Sequence, residues 1–164
     1  MHDRIVADGL AAVRPLVLAR LRLAGRIAEH KWLLGLPISD PERERAVLDR
    51  AEAAASCRGH DPAIVARVVG SQIDASKFVQ RALFTRWTDD PWTAPTVAAD
   101  IRSLRRQVTA IDDALVDAVG AAAAIADDPG CAARVRDEQE RPDDALDAVH
   151  RTGLRLAWAA FCRR

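Results

Sequence analysis

Within the segments set off by its prolines and glycines the apolar residues of this chain return every three or four positions, and no stretch alternates convincingly at period two. The first spacing marks one face of an α-helix and the second a half-buried strand, so the chain is built to pack helices on helices. Composition agrees: Ala, Leu, Arg, Glu and Asp dominate, and Tyr is absent. Proline and glycine supply the punctuation. A long first helix is expected from Leu10 to Leu36, with Pro15 near its first turns and Pro37 ending it. Ser39-Asp40-Pro41-Glu42 reads as a capped start to a second helix that runs to about Arg58 and stops at Gly59. Asp61-Pro62 opens a third, reaching about Trp87, and Thr88 to Pro95 form a loop. A fourth carries Ile101, Leu104, Val108, Ile111, Leu115 and Val119, and Asp128-Pro129-Gly130 breaks it. A short helix from Cys131 and a last one from about Pro142 to Phe161 complete an all-α, multi-helix bundle. With 164 residues, no repeat and no dividing linker, residues 1–164 read as a single domain.

Within the first helix stand two residues that packing does not ask for. Arg20 and Lys31 are eleven apart, almost three whole turns at ~100° per residue. Both therefore leave one face, roughly 16 Å apart along the axis. That face otherwise carries Leu16, Leu23, Ala24, Ile27 and Leu34. Either cation alone would more often lie along apolar surface with its head in water. As a pair in a stripe with few local acids, they suit a small di-anionic ligand held between helices. The second helix adds Arg43 in its first turn, where free N–H groups already attract anions. The third stacks Gln72, Ser76 and Gln80 on one face, either as paired core polars or as a hold for hydroxyl and ether oxygens. The fourth offers Arg102, Arg105 and Arg106. Arg105 adjoins the apolar stripe, and the plainer reading is a basic patch facing Asp100 or Asp112.

Several functional classes are disfavoured. Twenty-four basic residues balance twenty-four acidic ones, so a general nucleic-acid or membrane-surface binder is not expected. No apolar run approaches the ~20 residues of a bilayer span. Residues 1–20 are interrupted by Asp3, Arg4, Asp8, Arg14 and Arg20, so no secretory leader is visible; a chain that had shed one would look the same. His2, His30, His60 and His150 share no metal spacing, and no phosphate-binding glycine loop or nucleophilic triad stands out. Neither a metal nor a cofactor is expected. Cys57, Cys131 and Cys162 match no zinc pattern; a staple between the last two and three free thiols are equally open from spacing.

Taken together, these residues resemble the all-helical chorismate mutases of the AroQ class. Arg20-Leu-Arg-Leu-Ala-Gly-Arg-Ile-Ala-Glu-His-Lys31 is similar to that family's R-x(10)-K signature. Pro37-Ile38-Ser39-Asp40-Pro41-Glu42-Arg43-Glu44 is similar to its P-I-x-D-x-x-R-E, and Gln72 to Gln80 to its Q-I-x-x-[ST]-x-x-x-[QE]. The three blocks occur in order at the family's distances, and the C-terminal half resembles the gamma subclass, usually exported. The resemblance implies conversion of chorismate to prephenate without metal or cofactor. It implies Arg20, Lys31, Arg43, Gln80 and Arg105 as the catalytic set, with Arg102 as the alternative to Arg105. Asp40, Glu44 and Ser76 would contact substrate. It further implies a Cys131–Cys162 disulfide, a homodimer in which the apolar first helix could serve as interface, and a protein exported without its leader, a cytoplasmic one being the alternative. An isochorismate-pyruvate lyase on the same scaffold and a non-catalytic helical dimer are the competing functions.

Overall fold

The computed structural model describes residues 2–163, with side chains from residue 9 onward. Its elements are α1 (His2–Leu33), α2 (Pro41–Cys57), α3 (Pro62–Asp89), α4 (Ile101–Ala121), α5 (Cys131–Glu140) and α6 (Ala148–Ala157), with short 3-10 turns at Pro91–Thr93 and Ala123–Asp127. There is no strand among the described residues. Four of the helices begin on an aspartate that accepts a backbone N–H: Asp40 from Arg43, Asp61 from Ala63, Asp100 from Arg102 and Asp147 from His150. Each such cap contributes about 1 kcal/mol and fixes where its helix starts.

α1 is the axis of the bundle. Val13, Val17, Leu21, Ala24 and Ala28 are almost wholly buried, packed among α3 and α4. The direction of each neighbour follows from its contacts. Arg20 reaches the carbonyl of Gln72, and Trp32 stacks edge-on against Phe84 and Trp87 with ring centroids 5.2 and 5.5 Å apart, so α1 and α3 run parallel. Gly9 approaches Ala122 while Arg20 pairs with Asp112, so α4 runs antiparallel to α1. α6 returns along α3, with Gln72 bonded to the carbonyl of Ala157. The N-terminal part of α4, the start of α2 and the C-terminal halves of α1 and α3 therefore meet at one end of the bundle.

Several boundaries differ from those read in the sequence. α1 begins at His2, so Pro15 stands well inside it, exposed on the outer surface where its missing hydrogen bond disturbs no packing. α1 ends at Leu33, before Pro37. Gly35 takes φ 61°, its N–H bonds to Trp32 and the Leu36 N–H bonds back to the Lys31 carbonyl. This left-handed termination closes the helix one turn before proline has to. Leu34 accordingly lies past the helix, 57 % exposed, and leaves the stripe assigned to it. α2 stops as expected, with Gly59 at φ 75° in the same kind of termination. α4 ends at Ala121 and passes through a 3-10 turn before Asp128. The last helix is only Ala148–Ala157, because Asp147 caps it and the chain then turns after Trp158. That turn brings Cys162 to Cys131, and the two form a disulfide with Cα atoms 5.8 Å apart. Cys57 remains a free, exposed thiol.

Candidate active site

The eight residues singled out for chemistry meet in one cleft. Arg20 and Lys31 enter from α1, and Asp40, Arg43 and Glu44 from the start of α2. Ser76 and Gln80 enter from α3, and Arg105 from α4. The walls between them are apolar, among them Ile27, Ile38, Ile73 and Val108. Arg102 does not line the cleft; its backbone N–H is spent on the Asp100 cap. Gln72 does not line it either. It is buried at 1 % exposure, its side chain bonds to Ala157 and its carbonyl holds Arg20, so it ties α1 to α6 through α3.

Each polar group is placed by its element. Lys31 lies in the last turn of α1, and its Nζ donates across the connection to the Ile38 carbonyl at 2.6 Å. Asp40 caps α2 through Arg43 N–H, while Glu44 Oε1 accepts the N–H of Asp40 at 3.2 Å. Ser76 and Gln80, one turn apart on α3, are both buried, and the Gln80 amide donates to Ser76 Oγ at 3.1 Å. The other end of that amide, Oε1, is buried without a partner among the described residues. A buried amide end without a partner costs stability unless something else meets it.

Two residues of the site were not anticipated. Lys77 also lines the cleft, and its Nζ holds Glu44 Oε2 at 2.9 Å and Asp74 at 3.7 Å. Its signal was its spacing: four residues after Ile73 and three before Gln80 places it on their face. Asp112 is the second. Far from belonging to an exposed patch, it is 2 % exposed and pairs with Arg20 at 2.7 Å. Arg20 therefore has a buried counter-ion that the local sequence around it does not offer. The hint was an acid seven residues beyond Arg105, two helical turns along one face of α4.

The electrostatics are those of an unsaturated cation cluster. Burial pulls the Lys31 ammonium below its ordinary value; Asp40 and Glu44 pull the other way, and Arg43 and Arg105 add to the depression. Arg43 is likewise lowered, first by burial and then by Arg105. Arg20, Lys31, Arg43, Lys77 and Arg105 face Asp40 and Glu44, with Asp112 behind Arg20. Five cations against these three carboxylates and the exposed Asp74 beside Lys77 leave the cleft net positive, suited to an anionic ligand. Other charged pairs among the described residues include His60 with Asp117, His150 with Asp147, and Arg141 with the buried Glu138. No group of histidines, cysteines and acids among the described residues is arranged to hold a metal ion; the His2 side chain lies outside them.

Comparison with known proteins points the same way. Residues 13–81 match the family described as chorismate mutase type II. The secreted chorismate mutase of Mycolicibacterium smegmatis is 31 % identical over 96 % of this chain and 90 % of its own length. That of Mycobacterium tuberculosis is 28 % identical over 96 % of this chain and 81 % of its own. The crystal structure of a chorismate mutase from Burkholderia thailandensis superimposes with a TM-score of 0.87 at 32 % identity, covering 94 % of this chain and 99 % of that one. The chain belongs to the all-helical, type II chorismate mutase family.

Proposed function

We propose that the protein converts chorismate to prephenate in this cleft, by a unimolecular [3,3] rearrangement that breaks an ether C–O bond and forms a C–C bond. The observation that carries the reading is the convergence of Arg20, Lys31, Arg43 and Arg105 on one cavity, with Lys31 and Arg43 both destabilised as cations. Nothing in folding rewards burying cations beside one another, and a bound dicarboxylate offsets that cost.

The reaction needs no nucleophile, metal or cofactor. It needs the substrate held in its compact diaxial shape and charge stabilised as the ether bond opens. Arg20 and Arg105 bind the two carboxylates, each through guanidinium N–H pairs, with Ser76 supporting one of them. Lys31 and Gln80 donate to the ether oxygen as negative charge gathers there. A half-turn of the Gln80 amide lets Ser76 O–H donate to its oxygen and presents its NH₂ to the substrate, filling the position now without a partner. Arg43 adds positive field across the site. Asp40 and Glu44 face the substrate hydroxyl, Glu44 being steered by Lys77.

The whole chain acts as one catalytic unit in this account. The Cys131–Cys162 bond and the secreted relatives support a site of action outside the cytoplasm. A homodimer belongs to the same proposal. Its contact would use faces other than the apolar stripe of α1, which the chain's own core consumes; light scattering at two concentrations reads it. The activity itself is tested by mixing purified protein with chorismate, following the loss of chorismate absorbance and identifying the product. Prephenate is expected. Release of pyruvate would instead make the protein a lyase, and unchanged chorismate would remove the enzymatic reading.

A further inference from the structure

Arg20 is held from two sides by other helices. Its Nε–H donates to Asp112 Oδ1 of α4 at 2.7 Å, and Nη1 donates to the Gln72 carbonyl of α3 at 3.2 Å. Both charged side chains are buried, at 7 % and 3 % exposure. A pair that only neutralises a guanidinium does so best with both carboxylate oxygens, in two parallel hydrogen bonds. Here a single oxygen is engaged, and Asp112 Oδ2 is buried with no partner among the described residues. Two of the guanidinium's five N–H groups are thereby taken and its Nη2 has no hydrogen-bond partner among the described residues, in a side chain that lines the cleft. Asp112 thus forgoes part of its own pairing while leaving Arg20 free to pair elsewhere. α4 also supplies Arg105 from the same face, so one rigid element sets the cleft cation of α4 and the aim of the cleft cation of α1 together.

We infer that Asp112 is a positioning residue for the reaction: it pins the Nε edge of Arg20 so that the remaining N–H groups meet a substrate carboxylate. The inference rests on the dicarboxylate reading given above. It separates Asp112 from a merely structural ion pair, which would serve equally well with Arg20 turned to any angle. It also accounts for an acid in a site built to attract a dianion. Asp112 removes surplus charge from the cleft and does so behind the guanidinium, away from its uncommitted donors.

The test is a cycle of kcat and KM for chorismate in the parent, Asp112→Asn, Arg20→Lys and the double variant, with far-UV circular dichroism and melting curves giving the folded fraction. Per folded molecule, Asp112→Asn lowers kcat/KM roughly 10- to 100-fold. Most of the loss falls on KM, because the carboxylate Arg20 holds is present in ground and transition states alike. In the Arg20→Lys background the same change has an effect of no more than about twofold, since the group it acts through is gone. Asp112→Glu keeps a buried carboxylate and serves if the asparagine variant does not fold. It displaces the anchor by one carbon–carbon bond and costs about tenfold or more in kcat/KM, whereas charge balance alone leaves the parent value. A folded variant with the parent's kcat/KM, or equal losses in both backgrounds, overturns the role of Asp112 while leaving the activity standing. So does failure of both variants to fold, which makes Asp112 a stability residue. A parent that leaves chorismate untouched overturns the activity and this role with it.

Discussion

Breaking the Cys131–Cys162 bond gives a perturbation whose size follows from chain length. The bond joins residues 31 apart and encloses α5, the turn after it and α6. Closing a loop of that length removes about 3–4 kcal/mol of conformational entropy from the unfolded chain. For a protein of this size each kcal/mol moves the melting point by roughly 2–4 °C, so the bond is worth on the order of 10 °C. Cys131 is 2 % exposed, so replacing both cysteines with alanine avoids burying a hydroxyl. Neither cysteine lines the cleft, and kcat/KM at a temperature where both proteins are folded should agree within about twofold. The assay is a melt followed by circular dichroism for the oxidised parent, the reduced parent and the double alanine variant. A thiol count should give one reactive group, Cys57, before reduction and three after. A melting point lowered by less than about 2 °C would refute the entropic argument. Lost turnover in a folded variant would show that the staple shapes the cleft from a distance.

Two further predictions concern the cations. Arg105→Ala should lower kcat/KM at least about 100-fold, while Arg102→Ala, outside the cleft, should stay within about twofold; the reverse pattern would move the site's fourth-helix cation to Arg102. The lowered pKa of Lys31 sets an alkaline limb. As pH rises the ammonium is lost, and kcat/KM should fall at a pH below the ordinary lysine value of 10.5, while the limb in kcat lies higher because the bound dianion restores the charge. The unfolded chain binds more protons in that window, so the same titration raises stability slightly with pH as it removes activity. Gln80 donates at any pH, so activity should stay high at neutral pH; a rate falling steeply as pH rises from about 5 to 7 would deprive Gln80 of its role.

What the sequence made legible was local. The caps at Asp40 and Asp61, the stop at Gly59 and the one-face spacing of Arg20 and Lys31 each depend on residues within a few turns, and each is found as read. Which of Arg102 and Arg105 lines the cleft depends on the rotation of α4 against α1, which spacing within one helix leaves free. Asp112 is separated from Arg20 by 92 positions, so its place on the Arg105 face of α4 was legible but its partner on α1 was not. α1 ends earlier than Pro37 implies because Gly35 has the backbone freedom to stop the helix first. The last helix is shorter than its apolar spacing implies, because Phe161 continues that spacing but packs in the core from a turn rather than from a helix.

The central claim is that these cations act on one dianion within one cavity, and Lys31 is its sharpest point. Among the described residues its side chain hydrogen-bonds to the Ile38 carbonyl alone, so Lys31→Ala costs the fold little. The measurement is kcat/KM for chorismate in Lys31→Ala beside the parent, with matched circular dichroism spectra. Loss of a donor aimed at the breaking ether bond predicts a fall of roughly 100- to 1,000-fold. A variant that turns over chorismate at the parent's rate would contradict the account.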